Sequence, residues 1–450
     1  MSQKVKLLTF NCWGLKYISS LRKERLQAIA ERLAHPTNDD ESYDIVALQE
    51  IWCEEDWSFI SDLCKEEYPY RRIFKSGIIS GPGLAILSKI PIESTFLYRF
   101  PINGRSSAFF RGDWYVGKSI SVTVLNNPHV NGFIPIAILN SHMHAPYGNH
   151  TGDAAYSCHR ACQAWDFAKL VNFLKRAGYA VIQVGDLNSK PGSLPYKLFT
   201  VEGGLVDSWV QHKLDSEPVN PESASGADII TSPNSRTPLI SKTNPVDDIG
   251  LLSPVDQVEI SGVTCDSRLN TWRSFKKPHE ACRLDYAFID PSYLVTTKAK
   301  VVFTEKLPPP LSCSYSDHFG YSAEFLVKPS SKDNTPSISS PNLTDKINVY
   351  KELLLELREY QRFTIPKQVT WRKYHFFLGM FTLVLFHFVM PWATALNPIF
   401  SLIILFLSTT VAITSVLNGL IWYFGVRSEH RALQEVQMEV EDVLESTKSV

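Results

Sequence analysis

The chain has 450 residues and a formal net charge of −1, with 45 Lys and Arg against 46 Asp and Glu, so it lacks the basic footprint that bulk binding to a nucleic-acid backbone leaves. Its length allows two or three average domains, or one elaborated α/β domain with additions. The eight cysteines show no CxxC or zinc-type spacing, and Met1-Ser2-Gln3-Lys4 leads straight into an apolar run without a secretory signal region. They are therefore expected to be reduced thiols of a cytosolic domain without a disulfide framework.

In chain order, residues 6–10 predict a buried strand, residues 22–33 an amphipathic helix and residues 45–49 a second strand. Further strands are expected at 84–87, 119–125, 134–140, 181–184 and 286–289, with a helix over 156–175 between two of them. Strands alternating with helices predict a layered α/β domain over residues 1–327. From 213 to 259 the chain is rich in Ser, Pro, Asn and Asp, the mark of a polar surface insertion, and residues 328–346 read as a linker of the same character.

Ile347, Tyr350, Leu354 and Leu357 then recur at helical spacing, which predicts a juxtamembrane helix over 347–373. Two uncharged apolar runs follow, 374–396 and 399–424, separated by Asn397-Pro398. A hydrocarbon core of about 30 Å takes roughly 20 helical residues, and Pro398 cannot continue the first helix, so 374–426 is expected to be a transmembrane hairpin. Lys367, Arg372 and Lys373 precede it, Arg427 and Arg431 follow it, and the turn is uncharged. That pattern puts the N-terminal domain and the tail in the cytosol. The endoplasmic reticulum is the expected membrane, with the mitochondrial outer membrane as the alternative. The basic flanks also suit anionic phospholipids. The last helix, 427–450, carries Leu433, Val436, Val440 and Val443 at spacings of three and four. It either packs within its own chain or pairs with a second copy as a homodimer. Truncation before residue 374 is expected to release a folded soluble domain.

Polar residues cluster at strand ends: Asn11 in Thr9-Phe10-Asn11, Glu50 in Leu48-Gln49-Glu50, His142 in Asn140-Ser141-His142, Asp186 and Asn188 in Gly185-Asp186-Leu187-Asn188, Asp285 in Arg283-Leu284-Asp285-Tyr286, and Asp317 and His318 in Ser316-Asp317-His318. Singly these are turn or cap residues. Together they meet the needs of phosphodiester hydrolysis: hard oxygens for Mg²⁺, a His oriented by a carboxylate to take the proton of water, and donors for the phosphate oxygens. No Ser-His-Asp or Cys-His nucleophile is signalled, so water attacks directly.

The ordered motifs TFN, LQE, SH, GDLN, RLDY and SDH, spread over residues 4–326, resemble the endonuclease/exonuclease/phosphatase superfamily. The resemblance implies a deoxyribonuclease-like four-layer α/β sandwich followed by the two-helix hairpin. It also implies roles: Glu50 with Asn11 for Mg²⁺, Asp186 and Asn188 for water and phosphate, His318 as base, His142 for the transition state, and Asp285 or Asp317 to orient an imidazole. His144 is accessory. Phe10-Asn11-Cys12-Trp13-Gly14-Leu15, Gln49-Glu50-Ile51-Trp52, Ser141-His142-Met143-His144-Ala145 and the paired spans resemble neutral sphingomyelinases, in particular the fungal inositol phosphosphingolipid phospholipases C. The expected reaction is cleavage of a membrane sphingolipid at the ceramide-side phosphodiester. The alternatives are a phosphoinositide phosphatase or nuclease of the same superfamily, and an inactive membrane adaptor.

Gly112-Asp113-Trp114-Tyr115-Val116-Gly117-Lys118-Ser119 fits GxxxxGKS, but a nucleotide loop needs a helix directly after it, and residues 120–125 alternate as a strand. No nucleotide and no nucleic acid is expected as a partner. The fungal enzymes resembled carry such a segment, so Asp113 and Lys118 are expected to shape the site or its response to lipid.

Overall fold

The structure is a computed structural model that describes residues 3–126, 134–147, 156–216, 249–328 and 342–449. Most of the polar insertion expected at 213–259 and of the linker expected at 328–346 lies outside the described residues. The chain divides into two compact units, one made of Met1–Phe100, Tyr115–Ala145 and Gln163–Val349, the other of Pro101–Trp114, Pro146–Cys162 and Tyr350–Val450.

Twelve strands build the first unit: β1 (Gln3–Asn11), β2 (Ile45–Gln49), β3 (Tyr70–Ile73), β4 (Ala85–Ser88), β5 (Ile92–Arg99), β6 (Ser119–Leu125), β7 (Ile136–His142), β8 (Ala180–Asp186), β9 (Val206–Asp207), β10 (Asp285–Ile289), β11 (Leu294–Val302) and β12 (Gly320–Val327). They form two six-stranded sheets, ordered β11-β12-β1-β2-β4-β3 and β5-β6-β7-β8-β10-β9. The β1–β2 and β7–β8 pairs are parallel, and the pairs flanking them are antiparallel.

Alternation along the strands shows how the layers stack. Leu7, Ile45 and Ala47 of one sheet meet Ile138, Ile182, Val184, Ala287 and Ile289 of the other in a shared core. The intervening residues Leu8, Phe10, Val46 and Leu48 face the opposite way, onto Leu26, Ile29 and Leu33 of the helix Arg22–Ala34 and Ile60 of the helix Glu54–Leu63. On the second sheet the outward Phe288 meets Phe199, which meets Phe167 of the helix Ser157–Arg176 at centroid distances of 5.5 and 5.9 Å. The order is helix, sheet, sheet, helix, the four-layer sandwich.

In the second unit the helices expected as separate pieces are continuous. Leu343–Leu396 and Pro398–Lys448 are each long and apolar enough to cross a membrane. Each is interrupted by a π-turn, Tyr360–Thr364 in the first and Ile421–Val426 in the second. Asn397 is extended, and its side chain accepts from the Ile399 amide at 2.9 Å, capping the second helix just where Pro398 starts it. A Cβ on Gly379 would lie 1.7 Å from the Ser415 hydroxyl, so only glycine permits this close crossing.

The apolar stripe of the last helix is covered within the chain: Leu433, Val436, Val440 and Leu444 are buried, as are Tyr350, Leu353, Leu354 and Leu357 of the helix Leu343–Glu359. Arg358 to Glu441 at 2.9 Å and Gln361 to Gln437 at 2.9 Å link the two. Deeper in this unit, Tyr360 donates to Glu429 at 2.7 Å and accepts from Arg105 at 2.9 Å, while Nε2 of the fully buried His159 lies 3.0 Å from Glu429. Glu429 therefore joins the last helix to His159 and, through Tyr360, to Arg105.

Candidate active site at the strand ends

Strand register alone collects most of the polar residues. Parallel pairing sets His142 of β7 beside Asp186 of β8, and antiparallel pairing sets Asp285 of β10 beside Asp186 from the other side. In the facing sheet, Asn11 ends β1 beside Gln49 of β2, and Glu50 follows at a positive φ of 62°. Such a backbone is costly for a side chain and is typical of functional sites. Gly185 has φ 128°, and a Cβ there would meet the Ser141 carbonyl at 1.9 Å, which is why glycine precedes Asp186. Beneath the site a buried amide pair ties the sheets together: Gln49 donates to Asn140 Oδ1 at 2.8 Å, and Asn140 donates to the Leu48 and Ala85 carbonyls.

The amide of Asn11 bridges the sheets directly. Its Nδ2 donates to Glu50 Oε1 at 3.1 Å and to Asp186 Oδ2 at 3.0 Å, and its Oδ1 accepts from the Trp13 amide at 3.0 Å. Two anionic oxygens on one side and an N–H on the other dictate that orientation. Asn11 thus presents its nitrogen, not its oxygen, to the carboxylates. Burial, reinforced by Asp317, pushes the Glu50 carboxyl up to about 7, and burial, with Asp285 adding, pushes Asp186 up to about 6. Two buried carboxylates sharing one amide form a site short of positive charge, and their hard oxygens fit Mg²⁺.

His318 Nδ1 lies 2.8 Å from Asp285 Oδ2, and its Nε2 lies 3.9 Å from Asp186 Oδ2 and 3.4 Å from the Cys265 thiol. Burial opposes the imidazolium, yet Cys265 and the Asp285 and Asp186 carboxylates outweigh it and raise His318 well above its ordinary value. Asp186, Asp285 and His318 place ligating atoms within 4.8 Å of one another. Because Asp285 and His318 already hydrogen-bond each other, the oxygen set around Glu50 and Asp186 suits a hard cation better. Asp317 is engaged elsewhere: it pairs with Arg273, and Ser316 beside it donates to the Asn11 carbonyl at 2.6 Å.

His142 lies across Asp186 from His318, its Nε2 3.6 Å from Asp186 Oδ2 and its buried Nδ1 without a hydrogen-bond partner among the described residues. Burial, then Lys118, His318 and His144, holds it well below the usual histidine range, so it is neutral at pH 7. The Met143 carbonyl accepts from Lys118 Nζ at 2.9 Å and from Asn188 Nδ2 at 3.0 Å, and the Asn188 amide caps Asp186 Oδ1 at 3.1 Å. His144 is buried, its amide held by Gln163 at 2.9 Å.

All the expected site residues of the first unit therefore converge. Asp113 starts the short helix Asp113–Val116 and belongs to the second unit, and Lys118 belongs to the first. The helix lies inside the GxxxxGKS segment and strand β6 follows it, the reverse of a nucleotide loop. Cys265, Arg273 and the Gln49–Asn140 pair were not singled out by sequence. No motif surrounds Cys265 or Arg273, whose places depend on chain folding back over distances of about fifty residues.

The chain matches the Endonuclease/Exonuclease/phosphatase family over residues 8–318. It is 46% identical to inositol phosphosphingolipids phospholipase C of Saccharomyces cerevisiae over 97% of this chain and 90% of that protein. It is 36% identical to the protein of the same description in Schizosaccharomyces pombe, over 92% of this chain and 88% of that one. Human sphingomyelin phosphodiesterase 2 is 32% identical over 47% of each chain. The chain thus belongs to the endonuclease/exonuclease/phosphatase family.

Proposed function

We propose that this chain hydrolyses the ceramide-side phosphodiester of inositol phosphosphingolipids or sphingomyelin, releasing ceramide and a phosphorylated headgroup. The observation that carries the reading is the 46% identity along 97% of the chain to an inositol phosphosphingolipids phospholipase C. The chain is a phosphoric diester hydrolase of that type.

Glu50 and Asp186 would hold Mg²⁺, which when bound supplies positive charge against the carboxylates and the phosphate; Asn11, expected as a ligand, instead steadies both carboxylates through its Nδ2. With Mg²⁺ offsetting the carboxylates that otherwise hold His318 protonated, its neutral imidazole would accept the proton of water at Nε2 while Asp285 fixes Nδ1 and so the tautomer. The water oxygen bonds to phosphorus, the bond from phosphorus to the ceramide oxygen breaks, and that oxygen leaves and takes up a proton. Asn188 and the neutral His142 face the phosphate oxygens and donate to them as their charge grows. Lys118 adds fixed positive charge beside them.

The apolar helices 374–396 and 399–424 would cross the membrane of the endoplasmic reticulum, with the catalytic unit and the tail in the cytosol, and the basic flanks would favour anionic phospholipids. Tethering raises encounter with a lipid that is scarce in free solution. Protease added to sealed microsomes should digest residues 1–327; their protection would reverse the orientation.

The deciding test incubates the purified full chain with inositol phosphoceramide and sphingomyelin in mixed micelles, and in parallel with plasmid DNA and a phosphoinositide. Ceramide with a phosphorylated headgroup is expected. Orthophosphate or nicked plasmid in its place would sink the reading.

A further inference from the structure

Three loops leave the strand ends that carry the site, and each has a fixed base. The loop after β1 begins at Asn11; its Trp13 ring lies 5.3 Å from the Trp272 ring of the third loop, and Arg25 stacks over both, at 4.6 and 5.8 Å. The loop between β3 and β4 is closed at its neck by the Phe74 amide on the Leu84 carbonyl at 2.9 Å. It packs Gly83 against the ring of Trp52, whose Nε1 lies 3.3 Å from Glu50 Oε2. The loop between Cys265 and Cys282 is held by Asn270 on the Ser316 carbonyl at 2.8 Å, Trp272 on the Ser314 carbonyl at 2.9 Å, and Arg273 on Asp317.

The backbone at one tip is held too, the Ile78 amide on the Tyr115 carbonyl at 2.7 Å, but the side chains at the tips face out. Tyr17 is 94% exposed, Ile18 69%, Ile78 68%, Ile79 74% and Phe275 75%. Five large apolar side chains thus stand in water at the tips of loops whose bases are packed and hydrogen-bonded, a cost that folding does not require. Scattered apolar residues are ordinary, but these share one end of the sandwich with Asn11, Glu50 and His318. Lys16 and Lys75 neighbour them, in contact with Glu55 at 3.9 Å and Glu54 at 2.9 Å, and Arg268 and Lys277 are exposed on the third loop. Apolar tips set among cations match the interfacial zone of a bilayer, where acyl chains and headgroup phosphates lie in adjacent layers.

We infer that these tips form a bilayer-docking rim, distinct from the two apolar helices, whose partner is the lipid surface around the substrate. The inference rests on the sphingolipid reading above in so far as the docked lipid is the substrate's own bilayer.

The test reconstitutes the full chain in vesicles containing a phospholipid with a photoactivatable diazirine on its acyl chain, and maps the labelled peptides by mass spectrometry. Labels are expected on the peptides of Tyr17–Ile18, Ile78–Ile79 and Phe275 as well as on 374–424; labels confined to 374–424, as a soluble protein partner for the rim would produce, overturn the inference. Labelling does not depend on turnover, so this outcome stands even if the substrate reading fails. A second arm uses Ile78→Ser with Ile79→Ser. The expected result is about a tenfold higher KM for sphingolipid in vesicles, from weaker partitioning of apolar surface, with unchanged kcat/KM on a short-chain water-soluble analogue. Equal losses on both substrates would mean that the loop acts inside the site, and the inference falls.

Discussion

Asp285 Oδ2 lies 2.8 Å from Nδ1 of His318, while Asp317, next to His318 in the chain, is drawn to Arg273 instead. Removing a positioned base costs about 10²–10⁴ in rate, so His318→Ala should lose that much kcat. Asp285→Asn should follow closely, because the imidazole loses its fixed tautomer, and Asp317→Asn should lose far less. Steady-state kinetics on micellar substrate checks the order, and a deeper loss in Asp317→Asn than in Asp285→Asn would reassign the orienting carboxylate.

Glu50 and Asp186 titrate near 7 and 6 because burial disfavours their charge. A cation bound there competes with those protons, so its stabilisation should grow as pH rises from 5 to 8. Thermal unfolding of the chelated full chain, with Mg²⁺ added back at each pH, measures this. Glu50→Gln should abolish both the shift and turnover, and EDTA should stop the wild type reversibly. Full activity in EDTA is the result that would refute a metal role.

Lys118 is buried with its ammonium on the Met143 carbonyl, which also receives Asn188. Lys118→Met keeps the stem and removes the charge, and the expected loss is about tenfold or more in kcat, as for other donors to a developing oxyanion. ATP and GTP should give no calorimetric signal with the wild type, since a strand follows the segment where a nucleotide loop needs a helix. Micromolar nucleotide binding would overturn that.

In the second unit, burial pushes Glu429 upward, but hydrogen bonds from His159 and Tyr360 and the charge of Arg105 outweigh it and hold its carboxyl below the ordinary 4.5. A depressed carboxyl contributes stability that is present above its unfolded value and lost as pH falls through the folded one. The Tm of the full chain in detergent should therefore drop between pH 5 and pH 3 more steeply than that of Glu429→Gln, which should already be lower at pH 7. Parallel curves would show that the contact contributes no stability. A chain cut before residue 374 loses Glu429 altogether, and limited proteolysis should then find new cleavage around Arg105 and His159.

Much of the sandwich was legible because its code is local. Near-continuous apolar runs in 45–49 and 134–140 mark strands buried on both faces, and the edge strands β3, β5, β9 and β11 escaped together with β12 because none carries a long uninterrupted apolar run. The site was legible as a set of residues at strand ends, since each motif punctuates a strand. Its internal wiring was not, because Asn11 meets Asp186 across 175 positions of sequence.

By itself the sequence determined which side chains are polar at strand ends, that two helices are long and apolar enough for a membrane, and that a strand follows the GxxxxGKS segment. These are properties of periodicity and composition within short windows. Only the tertiary structure decided that Asp285 rather than Asp317 holds His318, that Asn11 offers nitrogen rather than oxygen to the carboxylates, and that the stripe of the last helix is covered by its own chain. Each of those depends on which long-range partner reaches a given atom first, and hydrogen-bond geometry at about 3 Å is set by packing rather than by residue type.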